Sequence, residues 1–192
     1  YLETAYADWG IEIVGVNYSG PDYVLAFDSE NPTGGDSDLA TPGYHPTNLV
    51  ALGNVLILAE DIRDKNNDGL VDDPDDEAGT PAGYVDFLYA TPQIGAGVGL
   101  LDIENGQQTS IELYNMGSLV LSLAVPKLGD NSYQYLSVTD DTTFDQLRIN
   151  LGGSGAITNV TTIAPPAPPI ETDDMVPEPA SFFVAGAGML VL

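Results

Sequence analysis

An acidic segment, Asp64–Glu77, holds the residues best suited to chemistry and reads DKNNDGLVDDPDDE. Side chains that carry oxygen alternate along its first half, and Gly69 follows them. Because glycine permits a sharp backbone turn, such a segment can curl until its oxygens converge on a hard cation. The spacing predicts a Ca2+ (calcium) site formed by Asp64, Asn66, Asp68, the Leu70 carbonyl, Asp72 and Asp75, with Asp76 or Glu77 as substitutes for Asp75.

The same segment resembles the calcium loops of EF-hands, dockerins and thrombospondin type 3 repeats. It departs from the EF-hand because Asp75, not a glutamate, closes the pattern, and because no clear helices flank it. We therefore expect a solitary loop between Glu60 and Tyr84 that joins two strands. The alternative is a solvated acidic turn, since Asp-Gly and Asn-Asp pairs are common in loops. The joint match of the ligand positions and the glycine favours calcium.

A second acidic segment, Phe27–Gly43, reads FDSENPTGGDSDLATPG. One interpretation is a long polar loop whose aspartates and glycines cap turns. The other is a second metal site, which requires the fold to bring distant carboxylates together. That site would use Asp28, Asp36 and Asp38, joined by Asp102 or Glu104.

Net charge restricts the partners of the chain. Aspartate and glutamate number 29 against 4 lysines and arginines, which gives a formal net charge of −25. Nucleic acid and anionic lipid need basic residues for neutralisation, so we predict no nucleic-acid partner, whereas cations are attracted.

Cysteine is absent and His45 is the one histidine, which leaves little room for thiol, zinc or histidine-dependent catalysis. A glycosidase would need only two carboxylates, but no spacing singles out a pair. We therefore predict no enzyme and no catalytic residues.

Hydrophobic patterning predicts an all-β fold. Hydrophobic residues make up 43% of the chain, enough for a packed core, and short apolar runs recur between turn residues. We expect a β-sandwich of jelly-roll type over about residues 8–163 of a 1–163 domain, with helix confined to short turns such as one near Leu2–Asp8. The predicted strands are Ile11–Val16, Asp22–Phe27, Asn54–Glu60, Gly83–Ala90, Gly97–Glu104, a strand through Ile111 and Leu113, Leu119–Val125 and Asp145–Leu151.

Beyond residue 163 the composition changes. Residues 164–175 form a proline-rich, acidic linker that begins APPAPPI, which favours extended polyproline II. Residues 176–192 read VPEPASFFVAGAGMLVL, and Val176, Pro177, Glu178 and Pro179 with the following apolar run resemble the PEP-CTERM sorting signal. The apolar run is shorter than the ~20 residues that a membrane-spanning helix needs. It also lacks the family's basic cluster.

The PEP-CTERM resemblance implies handling by an exosortase and a location on the outer cell surface or in the extracellular (biofilm) matrix of a Gram-negative bacterium. Internal segments resemble exported members of that family in the same order. They are FDSENPTGGDSDLATPG, GNVLILAED, LLDIE, GDNS and LGGSGAI. A first residue of Tyr1 fits a cleaved signal peptide. The resemblance implies a secreted β-sandwich and no particular activity.

Two functions remain open on the sequence. The first is an exported, calcium-binding structural protein that self-associates into a filamentous homopolymer, with its tail completing the next subunit's sheet. The tail residues would be Phe182, Phe183, Val184, Met189, Leu190 and Val191. The alternative is a carbohydrate-binding module retained in the exopolysaccharide matrix, with Trp9, Tyr133 and Tyr135 stacking on sugars. Alternating tyrosines are also common as packing residues.

Overall fold

The computed structural model describes residues 2–34, 36–76 and 79–166, without the side chains of residues 139–142. Its helical elements are two 3-10 turns, Ala7–Trp9 and Ser37–Leu39. No helix in these ranges is long and apolar enough to cross a membrane. The sorting motif at 176–179 and the assembly tail at 182–191 lie outside the described residues. The strands are β1 (Ile11–Asn17), β2 (Val24–Asp28), β3 (Asn54–Leu58), β4 (Gly83–Leu101), β5 (Ser110–Asn115), β6 (Ser118–Ala124), β7 (Tyr133–Leu151) and β8 (Ala156–Ile163).

Two long strands, β4 and β7, each contribute to both layers of a sandwich. In the first layer, residues 83–89 of β4 pair with β1 and residues 146–150 of β7 pair with β5, which gives the order β1-β4-β7-β5-β6. In the second layer, residues 95–101 of β4 pair with β8 and with β7, which gives the order β2-β3-β8-β4-β7. Every pairing is antiparallel, so the predicted fold class is confirmed.

The bend in β4 follows from its sequence. The register against β7 shifts between Leu88, Gln93 and Gly95, and such irregularities let a strand turn a corner. After the bend, alanine, valine and leucine alternate with glycines. The side chains of Tyr135 and Thr161 occupy the space above Gly97 that a larger residue would fill. The alternation therefore lets one face of β4 bury apolar groups while its neighbours close over the other face.

The main core lies between the layers. It includes Phe144, which meets Tyr89 edge-on at 5.9 Å between ring centroids. Its other large buried side chains include Ile13, Leu58, Val85, Phe87, Val98, Leu100, Ile103, Ile111, Leu113, Leu147, Ile149, Leu151 and Ile157. A second apolar cluster covers the other face of β2 and β3. It consists of Leu25, Phe27, Leu39, Val55, Ile57, Ala59, Leu101 and Ala156. Because Leu39 belongs to it, this cluster ties the long segment between β2 and β3 to the sandwich.

Several predicted strands differ from the observed ones in extent. Gly83–Ala90 and the first five residues of Gly97–Glu104 belong to the single strand β4, which ends at Leu101, because pairing with β7 resumes across the bend. Asp145–Leu151 is the end of β7. Strand β8 was not predicted as a strand, because polar residues dilute its apolar pattern. Leu119 is exposed rather than on the core face, since the β5–β6 register shifts beside it.

An ion pair stabilises the outer face of the first layer. Arg148 Nε and Nη2 donate to the two carboxylate oxygens of Asp86, at 2.7 Å each. The guanidinium also lies 3.7 Å from the ring centroid of Tyr84. Asp86 is buried and Arg148 is half-buried. Bidentate geometry and a stacked ring make this pair stronger than a typical surface ion pair.

Asp86→Asn should lower the free energy of unfolding by about 2–3 kcal/mol, because it leaves the Arg148 charge partly buried and poorly paired. Urea unfolding measures this change. Asp8→Asn is the matched control, since Asp8 is exposed and the substitution makes the same change in net charge. Equal effects of the two substitutions would contradict a specific role for the pair.

Candidate functional site

The acidic loop lies between β3 and β4, where the sequence predicts it, and closes on its own backbone. The Asp64 carboxylate accepts the N–H groups of Asp68 at 3.2 Å and Gly69 at 2.9 Å. Asn66 Oδ1 accepts the N–H of Asp68 at 2.8 Å. Gly69 has a φ of 88°, which is the left-handed turn that glycine was expected to supply. The first three predicted ligands are thus gathered on one tight turn.

The later predicted ligands divide between two places. Asp72 returns to the start of the loop, where its Oδ2 accepts the Lys65 N–H at 2.7 Å. Its own N–H donates to the Arg63 carbonyl at 2.9 Å. Leu70 is exposed and its N–H donates to Asp68. Asp75 lies in a separate group of carboxylates, so the loop turn itself closes between residues 63 and 72.

That separate group, here the Asp36 trio, consists of Asp36, Asp75 and Asp76. One carboxylate oxygen from each lies within 4.8 Å of the other two. Asp36 is 8% exposed and Asp76 is 3% exposed. Asp76 Oδ2 accepts the backbone N–H of Gly155, just before β8. Asp36 Oδ2 is buried without a hydrogen-bond partner. The trio therefore buries more negative charge than its hydrogen bonds satisfy.

A second group, the Asp102 trio, consists of Asp38, Asp102 and Asp130, again within 4.8 Å of one another. Asp102 is fully buried. Its Oδ1 accepts the N–H of Asn131 at 2.5 Å, and its Oδ2 has no partner. The sequence-based second site is thus partly assembled, because the fold brings Asp38 and Asp102 together.

The remaining members of the sequence-based second site lie elsewhere. Asp36 belongs to the other trio. Asp28 accepts hydrogen bonds from its neighbours, including the Asn31 side chain at 3.0 Å. Glu104 belongs to neither trio among the described residues. Asp130 was missed because only tertiary contact brings it to Asp38 and Asp102.

Asn131 holds the turn that carries Asp38 in place. Its side-chain amide donates to the carbonyls of Asp38 at 2.5 Å and Ala40 at 3.0 Å, and its Oδ1 accepts the Tyr44 N–H at 2.8 Å. Asn131 is fully buried with a φ of 54°, a left-handed conformation that asparagine tolerates. The GDNS segment that contains it was noted in the sequence, but its pairing with residues 38–45 is a long-range contact.

Burial shifts the ionisation of both trios. Burial, helped by the charge of Asp76, raises the pKa of Asp36 to about 9. Burial raises the pKa of Asp76 to about 8 against the opposing Gly155 N–H. Burial likewise raises the pKa of Asp102 to about 7 against the Asn131 N–H. At neutral pH, then, these carboxylates favour a proton or another positive charge.

In EDTA the stability of the chain should fall as pH rises from about 4 to about 9. The folded chain retains protons on Asp36, Asp76 and Asp102, whereas unfolded aspartates titrate near 3.8 and have released them. Urea unfolding over this pH range measures the slope. Asp36→Asn should flatten it between pH 6 and 9, while the exposed control Asp28→Asn should not. A slope of opposite sign would contradict the assignment.

An aromatic cleft of about 290 Å³ opens between the layers beside the first 3-10 turn. Trp9, 78% exposed, stands at its rim with Tyr6, and their ring centroids are 5.8 Å apart at 55°. The apolar lining comes from both layers, with Ile11, Ile13, Phe87 and Tyr89 opposite Leu56, Ile157 and Val160. The polar lining is Asn54, Thr158, Asn159 and Thr162. The described lining contains no carboxylate, so the three aspartates with raised pKa lie outside this cleft.

The other two aromatic candidates lie away from the cleft. Tyr133 packs against the second apolar cluster, and its N–H donates to Thr47 Oγ1 at 3.0 Å. Tyr135 is 46% exposed, and its hydroxyl shares a hydrogen bond with Thr161 at 2.8 Å. Of the three aromatic residues selected from the sequence, Trp9 alone lines the cleft.

Comparisons with known proteins find loose resemblances in shape. No family model and no curated protein matches the sequence. The lectin domain of lectinolysin, solved with Lewis B antigen, is 11% identical over 44% of this chain and 66% of that domain, with a TM-score of 0.35. A fucose-binding module of Streptococcus pneumoniae is 8% identical over 79% of this chain and 96% of the module, with a TM-score of 0.38. The family 32 carbohydrate-binding module of C. perfringens NanJ, solved with galactose, is 8% identical over 84% of this chain and 96% of the module, also with a TM-score of 0.38.

Proposed function

We propose that the chain is a non-enzymatic module of the bacterial exterior that binds a neutral glycan in the Trp9 cleft. The observation that carries this proposal is the exposed indole of Trp9 at the mouth of a cleft with an apolar interior and amide and hydroxyl groups. An exposed aromatic ring at the mouth of a cleft offers a flat apolar surface with a polar N–H at its edge, on which a sugar ring can stack.

The cleft offers both kinds of contact that a sugar needs. The rings of Trp9 and Tyr6 present flat apolar surfaces to the C–H groups of a pyranose ring. Asn54 and Asn159 supply amide groups that can donate to and accept from sugar hydroxyls. The volume is at the lower end of the ~300–1,000 Å³ typical of ligand pockets, which suits a short stretch of a glycan.

The net negative charge of the chain restricts the class of glycan that it can bind. With a net charge of −25, the chain repels uronic acids, sulfated sugars and other anionic polymers at long range. The described lining of the cleft also has no basic side chain to pair with such a group. The proposed ligand is therefore a neutral polysaccharide.

Trp9→Ala should weaken binding to neutral polysaccharides at least about tenfold, or about 1.4 kcal/mol, because the stacking surface is lost. Affinity electrophoresis against a panel of neutral and anionic polysaccharides, followed by calorimetry on the best ligand, measures the change. Tyr135→Ala is the matched control, as an exposed aromatic residue away from the cleft. Unchanged binding by the Trp9 variant, with its urea midpoint also unchanged, would contradict the site.

A second, compatible role is that of a calcium-binding structural component, and the closed turn at residues 63–72 favours it. Asp64, Asn66 and Asp68 already lie on one turn, and Asp72 returns to its start. Side-chain oxygens from these residues, with the Leu70 carbonyl, form the proposed ligand set for calcium. Export by an exosortase and self-association through residues 182–191 remain proposals that rest on the sequence.

Asp68→Ala should remove the part of the calcium-induced stabilisation that comes from the ion bound at this turn. That part of the free energy of unfolding is about 1.4–2.7 kcal/mol when the calcium concentration is ten to a hundred times the dissociation constant. Urea unfolding with calcium and with EDTA measures the difference for each variant. Asp73→Ala is the control, since Asp73 is exposed in the same loop but outside the predicted ligand set. An identical calcium response in both variants would contradict the loop site.

A further inference from the structure

We infer that the two aspartate trios bind one calcium ion each and so clamp the segment between β2 and β3, which carries Asp36 and Asp38, onto the sandwich. These sites are separate from the glycan cleft and from the turn at residues 63–72. Each trio is supported by its own unsatisfied carboxylate oxygen, Asp36 Oδ2 in one and Asp102 Oδ2 in the other.

The Asp36 trio has the composition of a cation site. Two of its carboxylates are more than nine-tenths buried, and a buried carboxylate without compensation is costly. The ion pairs of Arg63 with Asp61 and of Arg148 with Asp86 involve neither Asp36 nor Asp76. The Gly155 N–H satisfies one oxygen of Asp76. A bound cation would neutralise the group and satisfy Asp36 Oδ2.

The Asp102 trio carries the same inference independently. Asp102 is fully buried, and the Asn131 N–H fixes one of its oxygens while the other has no partner. Asn131 also holds the Asp38 carbonyl, so the same residue fixes the backbone beside two of the three carboxylates. A set of acceptors held in place around an unsatisfied oxygen is the arrangement expected of a pre-formed cation site.

The ligand chemistry favours calcium over other divalent ions. The trios contain oxygen ligands without histidine or cysteine, which suits hard cations. Two oxygens bound to one calcium at about 2.3–2.6 Å are at most about 5 Å apart, whereas magnesium at about 2.0–2.1 Å would bring them within about 4.2 Å. The ligand oxygens of each trio lie within 4.8 Å of one another, which is compatible with calcium. A site built from three protein carboxylates also suits calcium better than magnesium, because magnesium usually keeps several waters.

The sites would join parts of the chain that are distant in sequence. One ion connects residue 36 with residues 75 and 76, and the other connects residue 38 with residues 102 and 130. Leu39, the residue after Asp38, is fully buried in the second apolar cluster. Calcium would therefore stabilise long-range contacts, which is a different role from that of a loop that binds an ion within one turn.

The test uses the full chain stripped with EDTA and titrated with calcium chloride by calorimetry. The Asp36→Asn and Asp102→Asn variants should each lose one bound ion and about 5 °C or more of the calcium-induced rise in Tm, measured at a hundred times the dissociation constant. Asn is nearly isosteric and uncharged, so the EDTA forms should remain folded. Asp28→Asn should retain the full ion count, and Asp68→Asn should lose only the ion of the loop turn.

Crystals of the unaltered chain grown with calcium keep the inference testable if a variant does not fold. Anomalous difference peaks inside each trio would support it. Peaks confined to the turn at residues 63–72, or full calcium binding by both trio variants, would overturn it. Trp9→Ala serves to separate the two proposals, because it should weaken glycan binding and leave the number of bound calcium ions unchanged.

Discussion

Burial of carboxylates is the constraint on which the loop architecture depends. Asp36, Asp76 and Asp102 lie against the sandwich in a chain with 29 acidic and 4 basic residues, so side-chain cations are too few to neutralise them. Leu39 of the second apolar cluster is adjacent in sequence to Asp38, so packing this segment on the strands also brings carboxylates out of water. Whatever neutralises the carboxylates, a proton at low pH or a cation near neutrality, thereby helps the long segments pack on the strands.

Strand β8 lies next to both the buried Asp36 trio and the Trp9 cleft. Its first residues follow the Gly155 N–H that Asp76 accepts, and residues 157–160 form part of one wall of the Trp9 cleft. The opposite wall comes from β1 and the first half of β4, which belong to the other layer. The shape of the cleft is therefore set by how the two layers meet, and anything that orders the Asp36 trio also fixes the start of one wall.

Local pattern predicted much of the sandwich, and tertiary contact determined the rest. Period-two alternation located β5, β6 and the end of β7, because a half-buried strand requires it. The bend that unites Gly83–Ala90 with Gly97–Glu104 has no such local signal, since a register shift depends on the partner strand. Likewise Asp38 and Asp102 were grouped by residue type, whereas Asp130 and the bracing Asn131 are recognisable only once β4 and the segment before β7 are packed together.

Asp75 shows how competition between local and long-range contacts reshapes a motif. The twelve-residue pattern ends at Asp75, but the Asp75 carbonyl accepts the Glu60 N–H at 3.1 Å, next to the end of β3. Its carboxylate joins Asp36 and Asp76. The turn instead closes between Arg63 and Asp72, without the final acidic ligand that an EF-hand uses in bidentate fashion. Calcium affinity depends on the charge of the ligands and the rigidity of the site. The turn at residues 63–72 lacks the Asp75 carboxylate, which belongs to the Asp36 trio. We therefore expect the turn to bind calcium more weakly than the Asp36 trio does.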